Sequence, residues 1–380
     1  MSKPGENISK RKDGRWEARY IKGYRENGKA IFGYAYGKSY HEAREKKNRA
    51  IHAFFLGEAE QGKECADGYC FGELLDRFLD RKKFVVKQST YSHYCEIIQS
   101  HIRPMLGALP ASQITGQTIE RFASEKLESG RLDGTGGLSA KNVRDILSII
   151  KMTLDIGFTD EILTKKVSFA KPRVPAKKIE ILSPEAQNIF LSLGDSKDLR
   201  EFGYYLCIQT GLRIGEICAL QWSDVDFENR ILRVGKTMLR IGDPAGAGRK
   251  TKIIIDTPKT QNSVRVIPLP EILLKKLEWH RMRAQSGEAF VLTGTQAHIE
   301  PRLYTYSYKK FLEAHSIKDC GFHALRHTFA TRCIEQGFDA KSLSELLGHA
   351  NVKITLERYV HPSLDLKRAH MQRLSEAFAP

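Results

Sequence analysis

The spacing of apolar residues changes character along the chain. Near the start, "RWEARYIKG" alternates, with Trp16, Ala18 and Tyr20 on one face and Glu17, Arg19 and Ile21 on the other, as a half-buried strand requires. Asn27-Gly28 is a hairpin turn in which both residues tolerate positive φ, and "KAIFGYAYG" supplies another strand. Ser39 with Glu42 forms a capping box, and the helix it opens puts Ala43, Ala50, Ile51 and Phe54 on one stripe that can cover the sheet. From about residue 70 the period becomes helical. Phe71, Leu74, Leu75, Phe78 and Leu79 repeat at helical spacing, as do Tyr91, Tyr94, Cys95, Ile98 and Ile102 until Pro104, where the helix is expected to stop. Val143, Ile146, Leu147, Ile150 and Leu154 follow the glycine-rich "GRLDGTGG", which predicts a bundle of four or five helices. "KPRVPAKK" (residues 171–178) reads as a charged linker. Beyond it Ser183-Pro184 starts a helix, "ILRVGKTMLR", "TKIIIDTP" and "SVRVIPLP" read as strands, and the remainder is mostly helix. The expected parts are residues 1–60, 68–168, a linker 169–180, and 181–380. The fold class is multidomain and mainly α with small β-sheets.

Composition narrows what such a chain binds. Hydrophobic residues make up 41% of 380, enough for sizeable cores. There are 61 Lys and Arg against 45 Asp and Glu, a net charge of +16, and residues 1–50 hold 14 of the first kind against 6 of the second. Half of the excess lies in about an eighth of the length, which points to a polyanionic partner, nucleic acid or an acidic membrane. No apolar run approaches the roughly 20 residues of a membrane span. The basic opening lacks the apolar segment of a signal peptide. No membrane association is expected, and a cytoplasmic, nucleoid-associated location is. Seven scattered cysteines fit reduced thiols, and nothing completes Cys65 and Cys70 into a zinc site. Neither a metal nor a cofactor is expected. Basic and aromatic residues of the first strand, Arg15, Trp16, Arg19 and Lys22, are candidates to lie in a DNA groove.

Four stretches carry candidate chemistry. "TGLRIGEICALQW" sets Arg213 and Glu216 three apart, on one helical face. "DTPKTQNSVRVIPLP" puts Lys259 beside a turn at Gln261 to Ser263 in a hairpin. "FHALRHTFATR" sets His323 and Arg326 three apart, and "LGHANVKITLERY" adds His349 and Tyr359. Each alone has a plain reading: an ion pair, an exposed lysine, a helix cap, a core tyrosine. Together they suit phosphoryl transfer without a metal. Two arginines offer planar forks to the non-bridging oxygens of a phosphodiester. Tyrosine is a covalent nucleophile that needs help at neutral pH, since its pKa is about 10. Histidine can accept its proton, and lysine can protonate the departing alkoxide. There is no Walker loop and no obvious carboxylate cluster for two magnesium ions, so covalent transfer to Tyr359 is favoured over hydrolysis.

The order Arg213, Lys259, His323-x-x-Arg326, His349, Tyr359 resembles the catalytic series of the tyrosine recombinases, the integrase family of phages and conjugative transposons. The likeness of the boxes covers about 180 to 365. "KQSTYSHYCEIIQSHIRPMLGALPASQIT" resembles that family's helical core-binding domain, with Lys87, Thr90 and Tyr91 as candidate DNA contacts. Residues 1–60 resemble a three-stranded arm-binding domain. The resemblance implies a mixed α/β catalytic domain, a clamp around double-stranded DNA at core and arm sites, and a homotetramer. It also implies 3′-phosphotyrosyl links and accessory excisionase or DNA-bending proteins. The Gly/Pro-rich "IGDPAGAGRKTK" (residues 241–252) departs from a short hairpin and brings Lys250 and Lys252 near Lys259, so the general acid is the assignment it unsettles. After Pro362, Leu364, Met371, Leu374 and Phe378 form a narrow apolar stripe that either closes the protomer's own core or docks on a neighbour. The competing readings are a type IB-like topoisomerase and a non-catalytic architectural DNA-binding protein.

Overall fold

The computed structural model describes residues 8–11, 13–24, 30–55, 69–175, 179–243, 251–257, 263–359 and 364–378. It divides into two units, Met1–Ala176 and Lys177–Pro380.

The first unit opens with β1 (Ile8–Lys10), β2 (Trp16–Tyr24) and β3 (Ala30–Gly37), an antiparallel sheet in that order. The Asn27-Gly28 turn lies outside the described residues, but the strands on either side pair from Trp16 with Gly37 to Tyr24 with Ala30. α1 (Tyr40–Phe55) covers one face, where Ala18, Ala35 and Ala43 are buried, so small side chains let helix and sheet approach closely. Ser39 caps it as expected, accepting from the Glu42 N–H at 3.1 Å, while the Glu42 carboxylate reaches back to the Lys38 N–H at 2.7 Å. The other face is open and carries Phe32, Tyr34 and Tyr36. Arg19 lies over the Phe32 ring at 4.6 Å, and Arg11 and Arg15 lie over Tyr36 at 5.5 and 5.8 Å. Cations over ring faces hold the aromatics and the positive charge in one surface.

The helical part of this unit comprises α2 (Phe71–Lys83), α3 (Gln88–Ile97), α4 (Arg103–Leu106), α5 (Gly116–Ser129) and α6 (Ala140–Thr159). The residues recurring at helical spacing meet in one core of Phe71, Leu74, Phe78, Ile98, Phe122 and Ile150 with their neighbours. Pro104 does not end its helix. The chain widens into a π-turn over Ile98–Ile102 and re-enters α4, with Pro104 in the first turn, where an N–H would have no partner to lose. The expectation of reduced cysteines fails at Cys70, which is disulfide-bonded. Cysteine spacing alone carries no information about such a pairing. Cys95, Cys207, Cys218, Cys320 and Cys333 are free.

The second unit begins with α7 (Pro184–Ser192), whose N–H of Ala186 is accepted by Ser183 at 3.3 Å. α8 (Leu199–Thr210) and α9 (Ile214–Ala219) follow. β4 (Val225–Asp226), β5 (Ile231–Val234), β6 (Thr237–Gly242), β7 (Thr251–Asp256) and β8 (Arg265–Pro268) come next. "ILRVGKTMLR" is two strands, not one. β5 joins the sheet β4-β5-β8, and β6 pairs with β7 in a separate hairpin. β7 and β8 therefore lie in different sheets, so the expected hairpin between them is not formed by these strands; the turn expected at Gln261 to Ser263 and Lys259 itself fall largely outside the described residues. α10 (Glu271–Arg281), α11 (Pro301–Ala314), α12 (His323–Glu335), α13 (Ala340–Leu347), α14 (Val352–Tyr359) and α15 (Leu364–Ala377) complete the unit. Phe190, Tyr204, Tyr304, Tyr308, Phe311 and Phe322 build an aromatic centre to its core. On α15, Met371 is 64% and Phe378 just beyond it 78% exposed, so this part of the stripe does not close the protomer's own core. Among the described residues no helix is long and apolar enough to cross a membrane.

Candidate active site

Local backbone geometry assembles the site. α8 ends at Gly211 in the left-handed conformation (φ 66°), and the chain turns at once into α9 with Arg213 as its N-cap. Glu216, three residues on, accepts from the Arg213 N–H at 2.9 Å and from its Nη1 at 2.7 Å. The carboxylate also receives a second, forked guanidinium: Arg265 of β8 donates from Nη1 at 3.0 Å and Nη2 at 2.8 Å. Burial alone would raise this carboxyl. The hydrogen bonds and charge of Arg265, then Arg213, outweigh it and hold Glu216 at about 2.

The C-terminus of α13 supplies the other half of the cage. Gly348 caps it with φ 64°, a left-handed cap that turns the last carbonyls outward. Leu346 O accepts from Arg265 Nε at 2.7 Å, Leu347 O from Arg326 Nη2 at 2.7 Å, and Gly348 O from Arg213 Nη2 at 3.2 Å. Three successive carbonyls thus hold three arginines at the negative end of a helix. Arg326 Nη1 also donates to Gly211 O at 2.8 Å. Burial, then the neighbouring Arg213 and Arg265, push Arg326 down to about 9. Arg213 and Arg265 pair with the one carboxylate, and Arg326 beside them is held by carbonyl oxygens, a surplus of positive charge that suits an anion such as a phosphodiester. Among the described residues no cluster of His, Cys, Asp or Glu is arranged to hold a metal ion.

Tyr359 is the last residue of α14 and is only 8% exposed, packed with Ala330, Leu343 and Leu347. Burial pushes its phenol up, while Arg326, Arg358 and Arg213 pull it down. Its hydroxyl lies 2.7 Å from Nδ1 of His327. His349 is placed differently. Its Nδ1 is 2.8 Å from Oγ1 of the buried Thr355, and its ring lies parallel to that of Tyr359, with centroids 6.3 Å apart. His323 begins α12, its ring 5.8 Å from that of His327. Burial and then nearby positive charge lower all three histidines, His327 to about 4 and His349 to about 3, so they are neutral at pH 7.

Arg213, His323, Arg326, His349 and Tyr359 therefore meet in one place. Lys259 lies outside the described residues. Of the DNA-contact candidates, Arg15 and Arg19 are on the open face of the β1–β3 sheet, but Trp16 is on the helix-covered face, edge-on to Tyr40 at 5.3 Å. The alternation of β2 had already grouped Trp16 with the inward Ala18. The side chain of Lys22 lies outside the described ones. Lys87 is the N-cap of α3, with Thr90 and the partly buried Tyr91 in its first turn. Two residues of the site were not anticipated. Arg265 carries a signal, since it shares the inward face of β8 with Ile267, where a buried arginine needs a carboxylate. His327 stands four residues after His323, on the same helical face.

Residues 196–365 match the phage integrase family, and residues 70–127 match the phage integrase N-terminal SAM-like domain. A tyrosine recombinase XerC-like protein of Caldanaerobacter subterraneus subsp. tengcongensis is 28% identical over 93% of this chain and 94% of its own length. The ICEBs1 integrase of Bacillus subtilis is 27% identical over 77% of this chain and 78% of its own. Among solved structures, the Tn1549 transposon integrase in complex with a circular intermediate DNA is 26% identical, with a TM-score of 0.65 over 80% of this chain and 99% of that one.

Proposed function

The chain belongs to the phage integrase family of tyrosine recombinases and is a site-specific DNA recombinase, and we propose that it cuts and rejoins duplex DNA through Tyr359 to integrate and excise a mobile element or prophage. The observation that carries this reading is the buried phenol of Tyr359 beside guanidinium groups that outnumber their carboxylate. The Tyr359 oxygen attacks phosphorus, the bond to the 5′-oxygen breaks, and a 3′-phosphotyrosyl link forms. Charge that builds on the non-bridging oxygens is met by N–H groups of Arg213 and Arg326, each with donors left over from its carbonyl bonds. Lys259 protonates the departing 5′-oxygen. The phosphotyrosyl bond conserves the energy of the phosphodiester, so rejoining by a 5′-hydroxyl needs no ATP, and the arginines do the electrostatic work a metal would do.

Exchange between two duplexes breaks four strands, and each Tyr359 breaks one, so the active assembly is a homotetramer. The exposed Met371 and Phe378 near the end of the chain support docking of α15 on a neighbouring copy. The open face of the β1–β3 sheet binds arm sites, α3 with Lys87, Thr90 and Tyr91 contacts core sites, and an excisionase or DNA-bending protein sets direction. The protein works in the cytoplasm, on the nucleoid. The test is recombination in vitro between plasmids carrying the element ends and the target junction, in EDTA and without ATP. Recombinant junctions at defined positions support the reading; a requirement for magnesium or ATP contradicts it.

A further inference from the structure

The hydrogen bonding around Tyr359 does not use the histidines singled out by their order in the chain. Oη lies 2.7 Å from Nδ1 of His327, within the reach of a general base. Arg358 stands close enough to draw the phenol's pKa down. With His327 neutral and its ring proton on Nε2, Nδ1 is the acceptor and the phenolic proton of Tyr359 points at it. His349 turns its Nδ1 to Thr355 and stacks parallel to the tyrosine, and His323 stands beside His327.

We propose that His327 is the catalytic base that takes the proton of Tyr359 as its oxygen attacks phosphorus. The inference rests on the phosphotyrosyl reading above. As the Oη–P bond forms and the P–O5′ bond breaks, the phenolic proton passes to Nδ1, leaving an imidazolium, and the 5′-oxygen takes its proton from the acid assigned to Lys259. Rejoining reverses each transfer, the imidazolium returning its proton to the departing phenolate. The groups facing His327 are His323 and Arg326 from its own helix and Arg358 and Tyr359 from α14. Burial first, then the charge of its neighbours, Arg358 and Arg326 among them, keeps the ring neutral at pH 7, which is the form a base needs. A phosphodiester entering beside the same arginines offsets that charge and strengthens the base at the moment it is used.

The test uses the full chain and a library of nicked duplexes with randomised cores, on which covalent adducts accumulate. His327→Asn retains a hydrogen-bonding group near the Nδ1 position but cannot take a proton. Its cleavage at neutral pH is expected to be about 10²–10⁴-fold slower. The rate should climb with pH toward the tyrosine's own ionisation, which burial raises above its ordinary value, instead of levelling off. His327→Gly should recover in added imidazole. A His327→Asn profile that keeps the wild-type shape and rate overturns the proposal. If these variants fail to fold, histidine ¹⁵N NMR on the intact protein decides. The His327 Nδ1 resonance should move in Tyr359→Phe, and an unmoved resonance overturns the proposal. If wild type forms no adduct, or Tyr359→Phe still does, it is the phosphotyrosyl reading that fails.

Discussion

Glu216→Gln removes one charge and almost no volume from the centre of the arginine cage. Glu216 is 3% exposed and holds Arg213 and Arg265 together through four hydrogen bonds to its two oxygens. Its pKa falls from the ordinary 4.5 to about 2 on folding, a depression worth about 3 kcal/mol. That figure agrees with the roughly 3–5 kcal/mol usual when one partner of a buried ion pair is removed. For a unit of this size, 3 kcal/mol is roughly 6–12 °C in Tm. The sign of the pH dependence follows from the direction of the shift. The stabilisation is fully present above about pH 4.5 and drains away as pH falls toward about 2, because protonated Glu216 is then nearly the same as glutamine. Thermal unfolding followed by circular dichroism across this range should show the largest gap between wild type and variant at neutral pH, narrowing below about pH 4.5. A gap under ~1 °C at neutral pH, or one that stays constant down to about pH 3, would refute the argument that this carboxylate organises the cage.

Other consequences reach the remaining parts of the chain. Lys259→Ala should cleave poorly yet recover on DNA with a bridging 5′-sulfur, a leaving group that needs no proton; recovery for Lys252→Ala instead would move the acid to that lysine, which now pairs with Asp243 at 3.4 Å. Deleting residues 1–60 should spare cleavage of short core sites but weaken binding to full attachment sites, and the lost component should be the steeply salt-dependent one; equal binding of both proteins to a full site contradicts an arm-binding role. Replacing Met371, Leu374 and Phe378 by serine should leave melting and single-site binding unchanged while abolishing the tetramer on gel filtration with DNA. A lowered Tm would place the stripe in the protomer's own core.

Elements held by local periodicity were legible in advance. The stripes of α2 and α6, the Ser39 and Ser183 caps and the inward face of β2 follow from neighbours in sequence. Five residues that the structure brings together, Arg213, His323, Arg326, His349 and Tyr359, could be picked out because their order resembles the catalytic series of the tyrosine recombinases. What escaped depends on contacts between distant segments. Arg265 reads as a strand residue until Glu216, 49 positions earlier, folds against it. His327 looks redundant beside His323 until α14 brings Tyr359 to it across 32 positions. Pro104 reads as a stop because a sequence shows the missing N–H but not the widened turn that absorbs it. The separate pairing of β7 and β8 escapes for the same reason, since turn residues reveal a reversal but not which strands pair across it.

A single side chain, Tyr359, should form the covalent link to DNA. Wild-type protein trapped on nicked duplexes in EDTA, digested with nuclease and protease and mapped by mass spectrometry, tests it directly. One modified peptide is expected, with a nucleoside 3′-phosphate on Tyr359, a free 5′-hydroxyl on the released strand, and no adduct from Tyr359→Phe. An adduct on any other residue, a link to a 5′-phosphate, or trapping that appears only with a divalent metal would contradict it.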